Sequence, residues 1–253
     1  PVQVVLKQRP LPVLARDVSH LPAAGQAAAL AAATADDRVR GFDLARDPLM
    51  RLGVSRLGPQ EFEVLWTDHH IAVDGWSLGI LHQELMAIYE ALAEGGTPKL
   101  PPAPQFSRHL DWLAARDPRA GRRYWEKALA DCPPPSTVPG VNPAGRRVGD
   151  VMDEYHFELD PGETAGLRGL AARLEVTLNT LVQSLWSVLL AGFAGSDDVI
   201  FGAVVSGRPP ELEGVEAIVG LFLQTIPVRI RLEPEDSFAT LCRRVQQEAT
   251  EAE

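Results

Sequence analysis

Asp68-His69-His70-Ile71-Ala72-Val73-Asp74-Gly75-Trp76-Ser77 is the stretch that decides how this 253-residue chain is read. It lies where residues 61–69, a run favouring β structure, meet a helix in which Leu78, Leu81, Leu85, Ile88 and Leu92 repeat at steps of three and four. Successive side chains on a strand point to opposite faces. His69 and His70 therefore diverge, one toward packed interior and the other toward a cleft. Asp74 falls on the connecting loop, placed to fix backbone or a cation beside the histidine. Gly75 admits a backbone geometry, or a close substrate approach, that any Cβ would block. A neutral imidazole with an ordinary pKa near ~6.5 accepts and returns a proton at neutral pH. On spacing alone three readings stay open: a structural pair of histidines, a metal site of two His and one carboxylate, and acid–base work by one histidine. Divergent side chains and the lack of a third ligand nearby in sequence weigh against the metal.

Outward from this stretch, residues 49–57 and 61–69 form a hairpin around Gly58-Pro59, and residues 21–38 are Ala-rich and helical. Residues 2–7 alternate and are rich in Val, which predicts a strand. The central helix ends at Gly95-Gly96, and shorter helices follow over 106–115 and 121–129. Residues 132–145 hold five prolines and two glycines, a linker composition. Beyond it a strand is expected over 152–159. Asp160-Pro161-Gly162-Glu163 reads as a capping box opening a helix. A second helix starts near Thr177 with Leu178, Leu181, Val182, Leu185 and Leu189 on one face. Residues 199–206 suit a buried strand, and Gly207-Arg208-Pro209-Pro210 breaks it. A strand over 225–232 and a helix capped by Ser237 complete the pattern. The class is α/β or α+β, helices covering one sheet face. The division is 1–131, an N-terminal subdomain; 132–147, a linker; and 148–253, a C-terminal subdomain. Both subdomains are expected to be incomplete, since the last helix stops at Glu253 without a Gly or Asn cap and the chain opens at Pro1.

The chain is 45% hydrophobic with a formal charge of −10, and no Lys/Arg block interrupts it, so no nucleic-acid face is expected. The apolar window 177–195 carries Asn179, Thr180, Gln183 and Ser184, the mark of a core helix and not of a membrane span. Cys132 and Cys242 follow no ligand spacing and read as reduced thiols of a cytoplasmic protein.

The quoted stretch resembles the HHxxxDG signature of the condensation-domain family of nonribosomal peptide synthetases, and Trp76-Ser77 extends the likeness to its HHxxxDGWS form. The run from Val199 to Pro209 is similar to that family's strand and turn in the second half. Residues 219–229 resemble its GxFxNT…R motif, with Gln224 where the family has Asn. Phe106 to Leu113 with Tyr124-Trp125 resembles the aromatic segment between the halves. The resemblance implies a chloramphenicol acetyltransferase-like α+β sandwich of two subdomains facing a central channel. It implies amide-bond formation between donor and acceptor thioesters. Both would arrive on phosphopantetheine arms of peptidyl carrier proteins, beside an adenylation domain, with no bound cofactor and no metal.

Carried over, His70 is the catalytic imidazole, as general base or as an orienting group. His69 is its inward neighbour, Asp74 holds the loop, Gly75 N–H is a candidate oxyanion donor, and Trp76 and Ser77 support the turn. Ser206 and Gln224 are candidates to line the channel. The family's Arg partner for the signature Asp precedes Pro1, so Asp74 is expected to lack a partner within the chain. Arg208 suits an anion or a solvated turn. Alternatives of the same fold are a free-standing ester- or amide-forming relative, an epimerisation domain and a recruitment module without catalysis.

Overall fold

The computed structural model describes residues 4, 6, 8–133, 138 and 155–252. Two compact units emerge, one of residues 1–115 with 206–223, the other of 116–205 with 224–253.

In the first unit, strand β1 (Val13–Asp17) pairs in parallel with β2 (Met50–Arg56), which pairs antiparallel with β3 (Phe62–Asp68). Helix α1 (Ala23–Arg40) crosses between β1 and β2 in sequence, as a parallel connection requires. The hairpin forms where Gly58-Pro59 predicts it: Leu57 and Gly58 donate their N–H groups to Glu61 O at 2.9 and 3.2 Å. Helix α2 (Gly75–Ala93) follows, then α3 (Ser107–Ala114). Of the strand expected at 2–7, Val4 and Leu6 are described and belong to no strand; the other four positions lie outside the described residues. The edge strand is instead Val13–Asp17, all of it exposed. An exposed edge strand needs no apolar alternation, which is why pattern reading passed over it.

The second unit begins with α4 (Pro118–Ala128) and continues through α5 (Pro161–Leu174) and α6 (Leu178–Ala194). Strands β4 (Asp198–Ser206) and β5 (Leu223–Arg231) follow, then α7 (Phe238–Ala252). The Asp160 capping box is present: Glu163 N–H donates to Asp160 Oδ1 at 2.8 Å, and Asp160 N–H to Glu163 Oε2 at 2.9 Å. Such a cap stabilises a helix start by about 1 kcal/mol. Ser237 accepts from Thr240 N–H at 3.1 Å and opens α7. Leu190, Val199, Ile230, Leu241 and Val245 form one buried cluster, and Ala171, Leu174, Leu181 and Cys242 another. Residues 155–159 form no strand, and 152–154 lie outside the described residues. Most of the expected linker, 132–147, lies outside them too.

Helix α6 turns a different side inward from the one its leucines suggest. Leu178, Val182, Leu185 and Leu189 are 40–53% exposed, whereas Thr180, Leu181, Ser184, Ser187, Leu190 and Ala191 are buried. Small side chains let neighbouring helices approach closely, and their hydroxyls find local acceptors. Ser184 Oγ donates to Thr180 O at 2.8 Å and Ser187 Oγ to Ser184 O at 2.7 Å. Among the described residues no single helix is long and apolar enough to cross a membrane.

Two arginines tie segments distant in sequence into these units. Arg229 on β5 forks onto Asp198 at 2.9 and 2.6 Å and donates to Ala130 O at 2.6 Å and Asp131 O at 3.0 Å. Residues 116–131 are thereby tied to the second unit. Arg208 does the converse, holding 206–223 to the first. Both contacts join residues far apart in sequence, out of reach of composition.

Candidate active site

Strand β3 stops one residue before the two histidines. The ladder ends with His69 N–H donating to Leu49 O at 2.9 Å. Ala72 N–H then donates to His69 O at 2.9 Å, closing a turn over residues 69–72. Inside it Ile71 N–H donates to His69 Nδ1 at 3.0 Å. His69 is half-buried, its ring edge-on to Phe42 with centroids 5.9 Å apart. His70 occupies the second position of the turn and is exposed. His69 is thus held against Phe42 while His70 is exposed, and both lie beyond the strand, where its alternation does not act.

Asp74 is 2% exposed and caps α2. Its Oδ1 accepts from Ser77 N–H at 2.8 Å, Ser77 Oγ–H at 2.7 Å and Arg208 Nη2 at 3.3 Å, and its Oδ2 from Phe222 N–H at 3.0 Å. The expectation of an unpartnered Asp74 is overturned: Arg208, at 7% side-chain exposure, pairs with it from 134 residues away. Burial alone would push this carboxyl up, but the Ser77 hydroxyl and amide, the Phe222 amide and the Arg208 charge together hold it below the usual range. Asp74 is an ionised brace, enclosed by its donors.

The Arg208 side chain is enclosed, where a solvated turn and an anion partner had both been open readings. Its Nη1 donates to Val215 O at 2.6 Å and Ile218 O at 2.9 Å, and its Nη2 also reaches Ser77 Oγ at 3.1 Å. The guanidinium lies 4.0 Å from the Phe222 ring centre and 5.6 Å from that of Trp76. Trp76, 59% exposed, donates its indole N–H to Glu216 O at 2.8 Å. Ser77 is fully buried; its Oγ accepts from Gly220 N–H at 3.0 Å and lies 2.8 Å from Gly220 O. The hydroxyl has one proton for two acceptors, Asp74 and Gly220, while Arg208 and Gly220 fill its lone pairs. Gly220 is required here, since a Cβ would fall inside the Phe106 ring.

His109, on α3, is 4% exposed, with ring centroids 4.7 Å from Phe222 and 5.4 Å from Phe106. Its Nδ1 has no partner among the described residues. Burial, and then the Arg208 charge, hold its pKa below the ordinary 6.5. The unfolded chain therefore binds a proton here before the folded one does. Stability is full above pH ~6.5 and is expected to fall as pH drops from there through the lowered value. Chemical denaturation across that window checks this; His109→Phe should flatten the slope, and an unchanged slope would assign it to other groups.

Gly75 is exposed, its φ is not positive, and a Cβ would meet nothing within 4 Å. The backbone-strain reading of this glycine therefore fails, and open space remains over the first turn of α2. Ser206 ends β4, exposed, with its Oγ 3.5 Å from Arg208 N. Gln224 is exposed on β5, in the other unit. A cavity of about 900 Å³ belongs to the second unit, among Tyr124, Arg229, Arg244 and Glu248, and is lined by none of His69–Ser77.

With this geometry in view, the whole chain, residues 1–253, matches the family model described as "Condensation domain". The chain belongs to the condensation-domain family. This condensation-domain chain is 39% identical over 253 residues to surfactin synthase subunit 2 of Bacillus subtilis (strain 168), covering 100% of itself and 7% of that protein. It is 34% identical over 253 residues to tyrocidine synthase 2 of Brevibacillus parabrevis, again covering 100% of itself and 7% of that protein. It thus spans only 7% of the length of these curated relatives. Among solved structures, the first condensation domain of the calcium-dependent antibiotic synthetase aligns with a TM-score of 0.74 at 23% identity, over 96% of this chain and 56% of that one. The X-domain from teicoplanin biosynthesis aligns with a TM-score of 0.75 at 26% identity, over 99% and 56%. The mixed α/β fold is that of condensation domains.

Of the residues singled out by sequence, His69, His70, Asp74, Gly75, Trp76 and Ser77 share one turn and helix start. Arg208, Phe222, Gly220 and His109 complete it. Gly220 and Phe222 carried a signal as the Gly and Phe of the 219–229 motif, and Arg208 as a cation set between Gly207 and Pro209 at the end of an apolar strand; His109 lay inside the 106–113 segment with nothing to single it out.

Proposed function

We propose that this chain forms amide bonds between donor and acceptor aminoacyl or peptidyl thioesters, both presented on phosphopantetheine arms of carrier proteins within a nonribosomal peptide synthetase that also contains an adenylation domain. The observation that carries this reading is the exposed His70 imidazole on a turn whose neighbours, His69 and Asp74, are both engaged. The acceptor amine attacks the thioester carbonyl, forming the C–N bond and a tetrahedral oxyanion; the C–S bond then breaks and the donor thiol leaves. His70 meets the attacking amine. It takes the amine proton, which ends on the departing thiolate, or it holds the zwitterion by hydrogen bonding. Gly75 N–H, at the positive end of α2, is the donor offered to the oxyanion. The two free cysteines suit a reducing compartment, the cytoplasm.

The test uses the full-length protein with donor and acceptor carriers loaded. Intact-protein mass spectrometry should show the donor acyl group transferred to the acceptor arm. Turnover with soluble amines or alcohols alone, and none on the acceptor carrier, would move the assignment to the free-standing relative.

A further inference from the structure

The turn that presents His70 is seated on a stack of side chains reaching back to the end of α1. Arg51, on β2 opposite Thr67, is 6% exposed. Its Nε and Nη2 fork onto the Asp37 carboxylate at 2.5 and 2.9 Å, Thr67 Oγ1 donates to the same carboxylate at 2.7 Å, and Arg51 hydrogen bonding holds Asp37 below the usual carboxylate range. Arg51 Nη1 donates to Gly41 O at 2.7 Å and Nη2 to Asp37 O at 3.0 Å. These bonds reach carbonyls at the C-terminus of α1, Asp37 O also accepting from Gly41 N–H at 3.3 Å, where a cation is also favoured by the helix dipole. Gly41 caps that end with φ +56°, a conformation suited to glycine. The chain then places Phe42 under the guanidinium, 4.1 Å from Arg51 Cζ to the ring centre. The Phe42 ring also meets His69, edge-on at 76°.

His69 is more than a filler of that space. Its Nδ1 accepts from Ile71 N–H, which leaves its proton on Nε2 and ties side chain to backbone across His70. Turning the ring over about its Cβ–Cγ bond would present a carbon to Ile71 and orphan that amide. The wall that meets the ring in its accepting orientation is Phe42, and Arg51 fixes Phe42.

We propose that Phe42, clamped by Arg51, is a positioning residue for His70: it sets the His69 ring that shapes the turn from which His70 projects. This rests on the reading of His70 as the reacting imidazole. A displacement of about 1 Å at a reacting group costs on the order of 100-fold in rate, so a loosened turn registers in chemistry before it registers in binding.

The experiment compares Phe42→Leu, Phe42→Tyr and Arg51→Lys with His70→Ala in the full-length protein bearing loaded carriers. Single-turnover rates are read against carrier concentration, with a thermal melt for each variant. Phe42→Leu should slow the chemical step at least about tenfold with the apparent KM for the acceptor carrier within about twofold. Phe42→Tyr, which restores the ring, should return the rate to within about threefold of the parent. Should Phe42→Leu not fold, Arg51→Lys gives the same split, because lysine keeps a cation at Asp37 but no plane over the ring. A parent-like rate in Phe42→Leu beside an inactive His70→Ala overturns the positioning role alone. So does a raised KM with unchanged chemistry, or a loss that the tyrosine does not rescue. An active His70→Ala overturns the reading of His70 itself.

Discussion

His70→Ala in the full-length protein is expected to lower condensation about 10²–10⁴-fold without lowering stability. His70 is exposed and its side chain is not part of the network around Asp74, and surface substitutions of this kind usually stay within about 0.5 kcal/mol. Rate and stability should therefore separate. Intact-mass single-turnover kinetics read the rate, and a thermal melt reads the fold. The pH profile then distinguishes the two roles open to the imidazole. A general base produces an ascending limb governed by the histidine, which His70→Ala abolishes; an orienting group produces a loss uniform in pH. Turnover within tenfold of the parent would make His70 a surface residue of an unrelated site.

The second large effect is expected at Arg208, and it falls on stability. Arg208→Met leaves Asp74 ionised, 2% exposed and without its cation. Breaking a buried pair from one side costs about 3–5 kcal/mol, because the remaining charge is stranded. Asp74→Leu should cost a similar amount, since it strands Arg208 and also removes the α2 cap. The double variant should cost less than the sum of the two, and this coupling is what identifies a pair. Amide hydrogen exchange at Ser77 and Phe222 gives the local readout, since both N–H groups donate to Asp74. Additive single effects, or exchange unchanged by Arg208→Met, would show that the two groups act independently. The enzymatic consequence follows from geometry. The same helix start carries Gly75, so loss of the pair should reduce activity as well as stability.

Much of the architecture was legible because local chemistry wrote it. The β2–β3 hairpin around Gly58-Pro59, α2 with its leucine spacing and the Asp160 box all rest on contacts within a few residues. The readings that failed depended on distant partners. The α6 leucines form a valid apolar stripe, yet α6 buries Ser184 and Ser187, because close helix approach rewards small residues and their hydroxyls are satisfied within the helix. For Arg208 an anion partner and a solvated turn were both open, and only the distant Asp74 carboxylate decides for the first. Phe42 and Arg51 carried no motif.

By itself the sequence determined which residues would stand at the strand-to-helix junction and that the chain has the family's motifs in the family's order. These follow from side-chain type and spacing, which act over a turn or two of backbone. Only the tertiary structure decided that Asp74 meets Arg208, that Gly220 lies against Phe106 and that Phe42 seats His69. Those pairings arise when separate segments bury their polar groups together, since a charge withdrawn from water must find its counter-charge wherever the folded chain supplies it.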